Sequence, residues 1–86
     1  MQGPRISVDF PKNGEYLVNS HISVQGWAKR VSKLELNGRP IYTDEHGNFA
    51  EDLILSSGLN IIEMKAGGRF GRELLERRMV MVKLPQ

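Results

Sequence analysis

The chain is notable first for what it lacks. It has no cysteine, which excludes disulfide bonds, thiolate metal sites and cysteine nucleophiles. Only six of its 86 residues are aromatic: one tryptophan, two tyrosines and three phenylalanines. No apolar run approaches the ~20 residues of a membrane-spanning helix, and the N-terminal residues lack the apolar core of a signal peptide. We therefore expect no direct membrane insertion, and any export signal or anchor of a parent protein should lie outside this piece.

A strong charge of either sign is also missing. Twelve basic and ten acidic residues leave a formal net charge of +2, which is too small to indicate nucleic acid or an anionic membrane as the partner. A chain of 86 residues has room for one domain around one core. The composition, 40% hydrophobic and 26% charged, is that of an ordinary globular domain.

What the chain does have is turn signals separated by short alternating segments. Clusters of Gly, Asn and Ser lie at residues 11–14, 37–38, 45–48, 56–58 and 67–71. From residue 37 onward they recur at intervals of roughly 8 to 12 residues. Between the clusters, apolar and polar residues alternate, as in Ile22, Ser23 and Val24, which is typical of strands with one buried face. Phe49 begins such a segment and is expected in the core. The pattern predicts an all-β sandwich or barrel.

Two segments carry more specific signals. The pair Asn37-Gly38 supplies both positive-φ residues of a type I′ turn, which predicts a tight hairpin between residues 33–36 and 39–42. Residues 72–78 are ambiguous, because they include good helix formers and an i,i+4 pair of Glu73 and Arg77. The strand-like residues 79–84 favour one long final strand, with a short helix as the alternative.

Several of these elements, in this order, resemble a family of bacterial immunoglobulin-like modules. They are a strand that ends at Gly26, the Asn37-Gly38 hairpin, the restart at Phe49, and the corner at residues 55–60. Over nearly its whole length, the chain is similar to the glucodextranase domain-B-like and related Big-type modules. The resemblance implies an immunoglobulin-like antiparallel β-sandwich of about seven strands over residues 5–84, after a disordered or non-native N-terminus at residues 1–4.

The corner and the last loop refine this resemblance. Gly58 is expected to take a left-handed bend, Leu59 to plug the end of the sandwich, and the Asn60 amide to satisfy backbone groups. The resemblance implies an accessory module of a secreted, periplasmic or cell-surface protein rather than an enzyme. Related modules often have an acidic loop where residues 67–72 read Gly-Gly-Arg-Phe-Gly-Arg, so the ligand of another family member does not carry over.

No catalytic constellation stands out. His21 and His46 have no partner at the spacing of metal ligands. A triad can be composed from Ser20 or Ser23, His21 and Asp44, but nothing around them resembles a nucleophile elbow or an oxyanion loop. We therefore expect no catalytic residue, no metal and no cofactor.

An acidic turn and a glycine-rich loop have equally plain explanations. Asp44, Glu45 and Asn48 can coordinate calcium, but they lack the EF-hand spacing, and a hairpin turn accounts for them equally well. Residues 67–71 lack the Gly-Lys-Ser/Thr ending of a phosphate-binding loop, so a flexible hairpin loop is the simpler interpretation.

The candidate interaction surface comprises the last loop and the single tryptophan. Phe70 offers apolar area, while Arg69 and Arg72 offer guanidinium groups, and these residue types are enriched at binding hot spots. Strand parity places Trp27 on the outward face unless a neighbouring bulge turns it inward. Inward or cross-strand packing of Trp27 is the favoured interpretation, and an exposed binding role is the alternative.

Three functions follow. The leading hypothesis is a non-catalytic module for protein interaction or spacing, contacting other domains of its parent chain or a protein partner, in a larger envelope-associated or secreted bacterial protein. The second is a carbohydrate-binding accessory module, with sugar rings stacked on Trp27, Tyr16 and Tyr42. The third is a small basic β-barrel that binds nucleic acid, ranked last because the net charge is small. Its candidate residues are Arg69, Arg72, Arg77 and Arg78.

Overall fold

The computed structural model describes residues 3–85 and is built almost entirely of β-strands. The prediction for Met1 and Gln2 lies outside these residues. The elements are β1 (Arg5–Phe10), β2 (Glu15–Leu17), β3 (His21–Lys29), β4 (Lys33–Leu36), β5 (Arg39–Pro40), β6 (Asn48–Ile54), β7 (Gly58–Gly67), a 3₁₀ turn (Arg69–Gly71) and β8 (Glu73–Val82). Across residues 3–85, no helix has the length and apolar character needed to cross a membrane.

The strands form two sheets, which confirms the predicted all-β sandwich. One sheet has the order β1-β3-β6 and the other the order β2-β8-β7-β4-β5. All pairings within residues 3–85 are antiparallel except that of β2 with β8, which is parallel. The strand count is one above the predicted seven, and β5 is only two residues long.

The core lies where the inward faces of the two sheets meet. Every second residue of β3 is buried from Ile22 to Ala28, and β7 follows the same alternation from Ile62 to Ala66. Phe49 is 5% exposed, so its predicted place in the core is confirmed. Each buried Val, Ile, Met or Phe side chain among them contributes about 1.5–3 kcal/mol on burial. The alternation therefore fixes the register of each strand.

The chain changes sheets between β1 and β2. A bulge interrupts the pairing of β1 between Val8 and Phe10, and the Phe10–Pro11 peptide is cis. Beyond it, the Met79 N–H donates to Asn13 Oδ1 at 2.7 Å, and the Gly14 N–H donates to the Met79 carbonyl at 2.6 Å. These two bonds hold Asn13 and Gly14 against β8, and β2 pairs with β8 directly after them.

The Asn37-Gly38 hairpin is confirmed, with φ of 49° and 82° at its two central residues. Its second strand, however, ends at Pro40 rather than Tyr42. Ile41 is only 5% exposed because the chain here leaves the five-stranded sheet for the other one, and this residue enters the core at the crossing. Asn37 also accepts a bond from the Glu63 N–H at 2.8 Å, which ties the turn to β7.

Of the three predictions made for the corner between β6 and β7, two are confirmed. Gly58 has φ of +101°, and the Asn60 amide bonds the backbone of Ser56 and Gly58. The prediction for Leu59 is wrong, because this side chain is 57% exposed. Leu59 has the parity of the outward residues of β7, and Leu55, 6% exposed, is the leucine of this corner that belongs to the core.

The ambiguous final segment is a strand, as favoured, and not a helix. β8 pairs with β7 over ten positions, from Gly58 opposite Val82 to Gly67 opposite Glu73. The pair that suggested a helix, Glu73 and Arg77, does not meet. Each instead forms an ion pair with a residue of β7. Glu73 Oε2 lies 3.5 Å from Lys65 Nζ, and Arg77 Nε lies 2.9 Å from Glu63 Oε2.

Candidate interaction surface at one end of the sandwich

Three separate segments meet at the end of the sandwich where β3 finishes and β7 turns into β8. They are residues 3–4, 30–32 and 68–72, and we call this region the loop end. The Ser32 N–H donates to the Gly67 carbonyl at 2.8 Å, which joins the second segment to the end of β7, directly before the third. Between them lies an open cleft of about 950 Å³. Its walls are Gly3, Pro4, Arg30, Val31, Ser32, Arg69, Phe70 and Arg72.

The predicted loop of the candidate surface is a tight hairpin. The Gly68 N–H donates to the Arg72 carbonyl at 2.7 Å, and the chain reverses through Phe70 at φ 67° and Gly71 at φ 78°. For a non-glycine residue, the left-handed region costs on the order of 1–2 kcal/mol. The aromatic side chain gains little packing in return, because it is 82% exposed. The turn therefore presents Phe70 to solvent.

The N-terminal segment forms one wall of the cleft. Arg30 donates from Nε to the Gly3 carbonyl at 2.9 Å. A Cβ on Gly3 would lie 2.9 Å from Arg72 Nη1, and one on Gly68 would lie 2.9 Å from the Pro4 ring. Residues 3–4 were predicted to belong to a disordered N-terminus, but they contact the sandwich, because this packing holds them against Arg30 and the last loop.

The cleft is basic, and none of the described residues in its walls carries a carboxylate. On β8, by contrast, two arginines are neutralised by glutamate: Arg77 pairs with Glu63 at 2.9 Å, and Arg78 pairs with Glu76 at 3.3 Å. None of the salt bridges found among the described residues includes a cleft arginine. The unneutralised guanidinium groups of the cleft are those of Arg30, Arg69 and Arg72.

Trp27 lies outside the cleft, on the outer face of the three-stranded sheet. The pairing of β3 with β6 is regular from His21 to Trp27, so no bulge in this ladder turns the ring inward. The ring is half-buried between two cations: Arg5 Cζ is 5.7 Å from its centroid, and Lys29 Nζ is 5.5 Å away. The alternation along β3 thus predicted that Trp27 points outward, and its ring forms cation–π contacts with both side chains.

The structure does not gather the three aromatic residues of the carbohydrate hypothesis on one face. Trp27 is on β3, whereas Tyr16 is on β2 of the other sheet and is 79% exposed. Tyr42, 82% exposed, follows β5 on the crossing between the sheets. A sugar-binding platform needs at least two neighbouring rings, and Trp27 and Tyr16 lie on opposite sides of the sandwich.

The histidine and the aspartate of the triad composed from the sequence, His21 and Asp44, lie far apart. His21 begins β3 opposite Ile54, whereas Asp44 bonds Asn48, which faces Trp27 near the other end of that strand. Six residues of strand separate the two positions, a distance of roughly 20 Å at about 3.3 Å per residue. Neither serine can therefore share a site with both groups.

Asp44 organises a turn. Its Oδ1 accepts the backbone N–H groups of His46 and Asn48, both at 2.9 Å. These bonds hold the pKa of the Asp44 carboxyl below its ordinary value of 3.8, because they favour the charged form. The bond from Asn48 has the largest effect. The turn interpretation of this segment agrees with the geometry. Among residues 3–85, no group of three or more His, Asp or Glu side chains is placed to hold a metal ion.

Sequence reasoning identified the loop residues of the cleft but did not place Arg30, Pro4 and Val31 beside them. These three lie in segments that are remote from the loop along the chain, and no local pattern marks them. One signal was available. Arg30 and Val31 follow the last residue of a strand whose length could be counted, so their place at an end of the sandwich was inferable.

Solved structures with the same fold include fibronectin and immunoglobulin modules. The chain is similar to the Clostridium thermocellum CbhA fibronectin(III)-like modules, with a TM-score of 0.64 and 17% identity, covering 95% of this chain and 100% of that one. It is also similar to a chain of a mutant Titin M10-Obscurin like 1 Ig complex, with a TM-score of 0.59, 11% identity, and 99% and 97% coverage. No protein-family model and no curated protein sequence matches. The chain therefore has the immunoglobulin-like β-sandwich fold.

Proposed function

We propose that this chain is a non-catalytic immunoglobulin-like module that binds a protein partner, or a neighbouring domain, through its loop end. The observation that carries this proposal is Phe70, an aromatic side chain 82% exposed at the tip of a tight turn and flanked by Arg69 and Arg72. A few residues carry most of the binding energy at a protein interface, and interfaces are enriched in aromatic and arginine side chains. An exposed phenylalanine brings no comparable gain to the isolated fold.

Backbone strain at the loop end supports the same assignment. Three non-glycine residues of the described chain have positive φ: Arg30, Asn37 and Phe70. Asn37 has a structural reason, since a type I′ turn requires that conformation. The other two both line the cleft. Residues in sparsely populated conformations cluster at binding sites, where the surrounding structure holds them in place.

The fold suits a module joined to others. β1 starts at the loop end, and β8 finishes at the opposite end, where Val82 faces Gly58. Neighbouring domains can therefore be arranged end to end, with the loop end next to one of them. This geometry supports a spacer role beside the binding role.

The proposed setting is a larger bacterial protein of the envelope or the secreted fraction, and so an extracytoplasmic location. Its support is the resemblance to glucodextranase domain-B-like and Big-type modules, together with the bacterial CbhA modules of the same fold. The absence of cysteine is compatible with either redox compartment.

The two alternative functions have less support. The carbohydrate-binding role needs a shared aromatic platform, and Trp27 and Tyr16 lie on different sheets. The nucleic-acid role used Arg77 and Arg78, which pair with glutamates.

A peptide selection tests the proposal. Random dodecapeptides displayed on phage would be selected on the purified domain, and the enriched peptides measured against a variant with Arg69, Phe70 and Arg72 all replaced by alanine. A matched control replaces Arg39 and Tyr16, an exposed arginine and an exposed tyrosine elsewhere, by alanine. We expect the enriched peptides to bind the wild type and the control but not the loop variant. Failure to enrich any peptide, binding retained by the loop variant, or turnover in a hydrolase screen would contradict the proposal.

A further inference from the structure

We infer that the partner segment recognised at the loop end is an acidic stretch of protein chain, whose carboxylates pair with the cleft arginines while an apolar side chain packs on Phe70. This inference rests on the proposed function and specifies the chemistry of its partner. It draws on three independent features of the cleft: its charge, its preorganisation and its apolar surface.

The charge of the cleft is of one sign. Among the described residues that line it, only Arg30, Arg69 and Arg72 are ionisable, and they form no salt bridge with any described residue. The net charge of the whole chain is only +2, but charges are screened beyond about 8–10 Å at physiological salt. A bound segment therefore responds to the local excess of three cations rather than to the overall balance.

The arginines are partly positioned before binding. The Nε of Arg30 donates to the Gly3 carbonyl, whereas no bond within residues 3–85 engages its two terminal nitrogens. Arg72 packs beside Gly3 on the same wall. A guanidinium group presents parallel N–H donors that match the two oxygens of a carboxylate. Less side-chain freedom is lost on binding when such a group is already oriented.

The apolar part of the cleft selects against a purely ionic ligand. Phe70, Pro4 and Val31 lie among the arginines, so the complementary segment carries a large apolar side chain between its acidic residues. Clusters of arginine recognise acidic motifs in other peptide-binding modules by the same chemistry.

Nucleic acid fits these observations less well than an acidic peptide. Binding along a phosphate backbone uses a track of cations that neutralises many phosphates. Beyond the cleft, Arg77 and Arg78 are taken up by Glu63 and Glu76, so the described surface offers no continuation of the basic cluster along β8.

The test uses a synthetic octapeptide, Gly-Glu-Asp-Leu-Phe-Glu-Asp-Gly, and an otherwise identical peptide in which every Glu is Gln and every Asp is Asn. Each is titrated into the ¹⁵N-labelled domain and followed by backbone chemical shifts. Protein variants are the double substitution R69Q/R72Q and the matched control R39Q. All three positions are exposed, so the variants should fold, which dispersed spectra would verify.

We expect the acidic peptide to shift the signals of residues 30–32 and 68–72, and its affinity to fall at least about tenfold in R69Q/R72Q. The R39Q control should change the affinity less than about twofold, and the neutral peptide should bind at least about tenfold more weakly. Shifts at the loop end that are equal for both peptides would overturn the acidic partner and leave the proposed function standing. Shifts confined to residues outside the loop end would overturn both, and the absence of any shift would overturn the acidic partner. Tighter, steeply salt-dependent binding of an oligothymidylate at the same residues would overturn the acidic peptide in favour of nucleic acid.

Discussion

Gly26 shows at the scale of a single residue how closely the two sheets constrain the chain. A Cβ at this position would overlap the carbonyl oxygen of Ser7 on the neighbouring strand and would lie 2.7 Å from Cζ of Phe49. Both neighbours are fixed, one as backbone and the other as a buried ring. Gly67 also lies in a strand, but a Cβ there would meet only the Lys33 side chain, at an ordinary 3.7 Å.

These two glycines should respond in opposite directions to the same substitution. Gly26→Ala is expected to lower the free energy of unfolding by about 2–4 kcal/mol, because Ser7 or Phe49 must move. Gly67→Ala is expected to raise it by about 0.5 kcal/mol, because alanine fits and restricts the unfolded chain. Urea unfolding followed by Trp27 fluorescence measures both. A Gly26→Ala protein as stable as the wild type would contradict the close approach of β1 and β3.

At the scale of elements, single amide and carboxylate side chains shape the connections. Asn60 closes the corner between β6 and β7: its Nδ2 donates to the carbonyls of Ser56 and Gly58 at 2.7 and 3.1 Å, and its Oδ1 accepts the Ser56 N–H at 3.1 Å. Asn13 has a similar role before β2, where its Oδ1 accepts the Met79 N–H at 2.7 Å. In both places a side-chain amide satisfies backbone groups that no strand partner reaches.

The donors of Asn60 can be removed with almost no change of shape. Asn60→Asp is expected to destabilise the domain by about 1–3 kcal/mol at neutral pH, because a carboxylate then faces two carbonyl oxygens and cannot donate. Part of the loss should return in acid, when the protonated carboxyl regains a donor. Thermal unfolding across a pH series measures this, with the exposed Asn19→Asp as control. Equal stability of the two variants would contradict the role of Asn60.

Asp44 sets a pH dependence for the crossing between the sheets. The pKa of its carboxyl is lowered by the N–H groups of Asn48 and His46, so the charged form is favoured in the folded protein. Its contribution to stability is therefore present above the unfolded value of 3.8 and is lost as the pH falls through the lowered folded pKa. The Asp44→Ala variant should be less stable than the wild type at neutral pH, and the difference should close below about pH 4. A difference in urea midpoint that stays constant into strong acid would contradict this.

For the whole molecule, the rigid core and the proposed binding surface are separated in space. The buried side chains fill the interior between the sheets. Of the three non-glycine residues with positive φ within residues 3–85, two, Arg30 and Phe70, lie at the loop end. The regular pairing of β7 with β8 extends up to that turn and holds it in place. The stability of the sandwich thus supports a local conformation that the loop would not adopt by itself.

This separation predicts a trade-off between stability and binding. Phe70→Asn should raise the free energy of unfolding by about 0.5–1 kcal/mol, because asparagine tolerates the left-handed region. Phe70→Ala keeps the strained Cβ and removes a ring that is 82% exposed, so its stability should stay within about 0.5 kcal/mol of the wild type. Both variants should weaken binding of a loop-end peptide. Urea unfolding and the peptide titration measure the two effects, and a destabilised Phe70→Asn protein would contradict the assigned strain.

The sequence alone determined the strands, the hairpin at Asn37-Gly38 and the roles of Gly58 and Asn60. These depend on alternation and on local backbone preferences, which act over a few residues and are readable without the fold. Leu59 shows where this reasoning ended: a corner motif suggested burial, but the register of β7 directs this residue outward. The same register explains why the helix formers of residues 72–78 extend as β8, since pairing with β7 outweighs weak helical propensity.

Only the tertiary structure decided where the functional groups meet. Phe70, Arg69 and Arg72 were identifiable from their composition, but their partners Arg30 and Pro4 reach the cleft through segments dozens of residues away in the chain. Trp27 and Tyr16 likewise lie on different sheets, and Arg77 is paired with Glu63. Such outcomes depend on sheet order and strand register. Local sequence patterns specify which face of a strand is buried, whereas long-range packing specifies which strands and loops become neighbours.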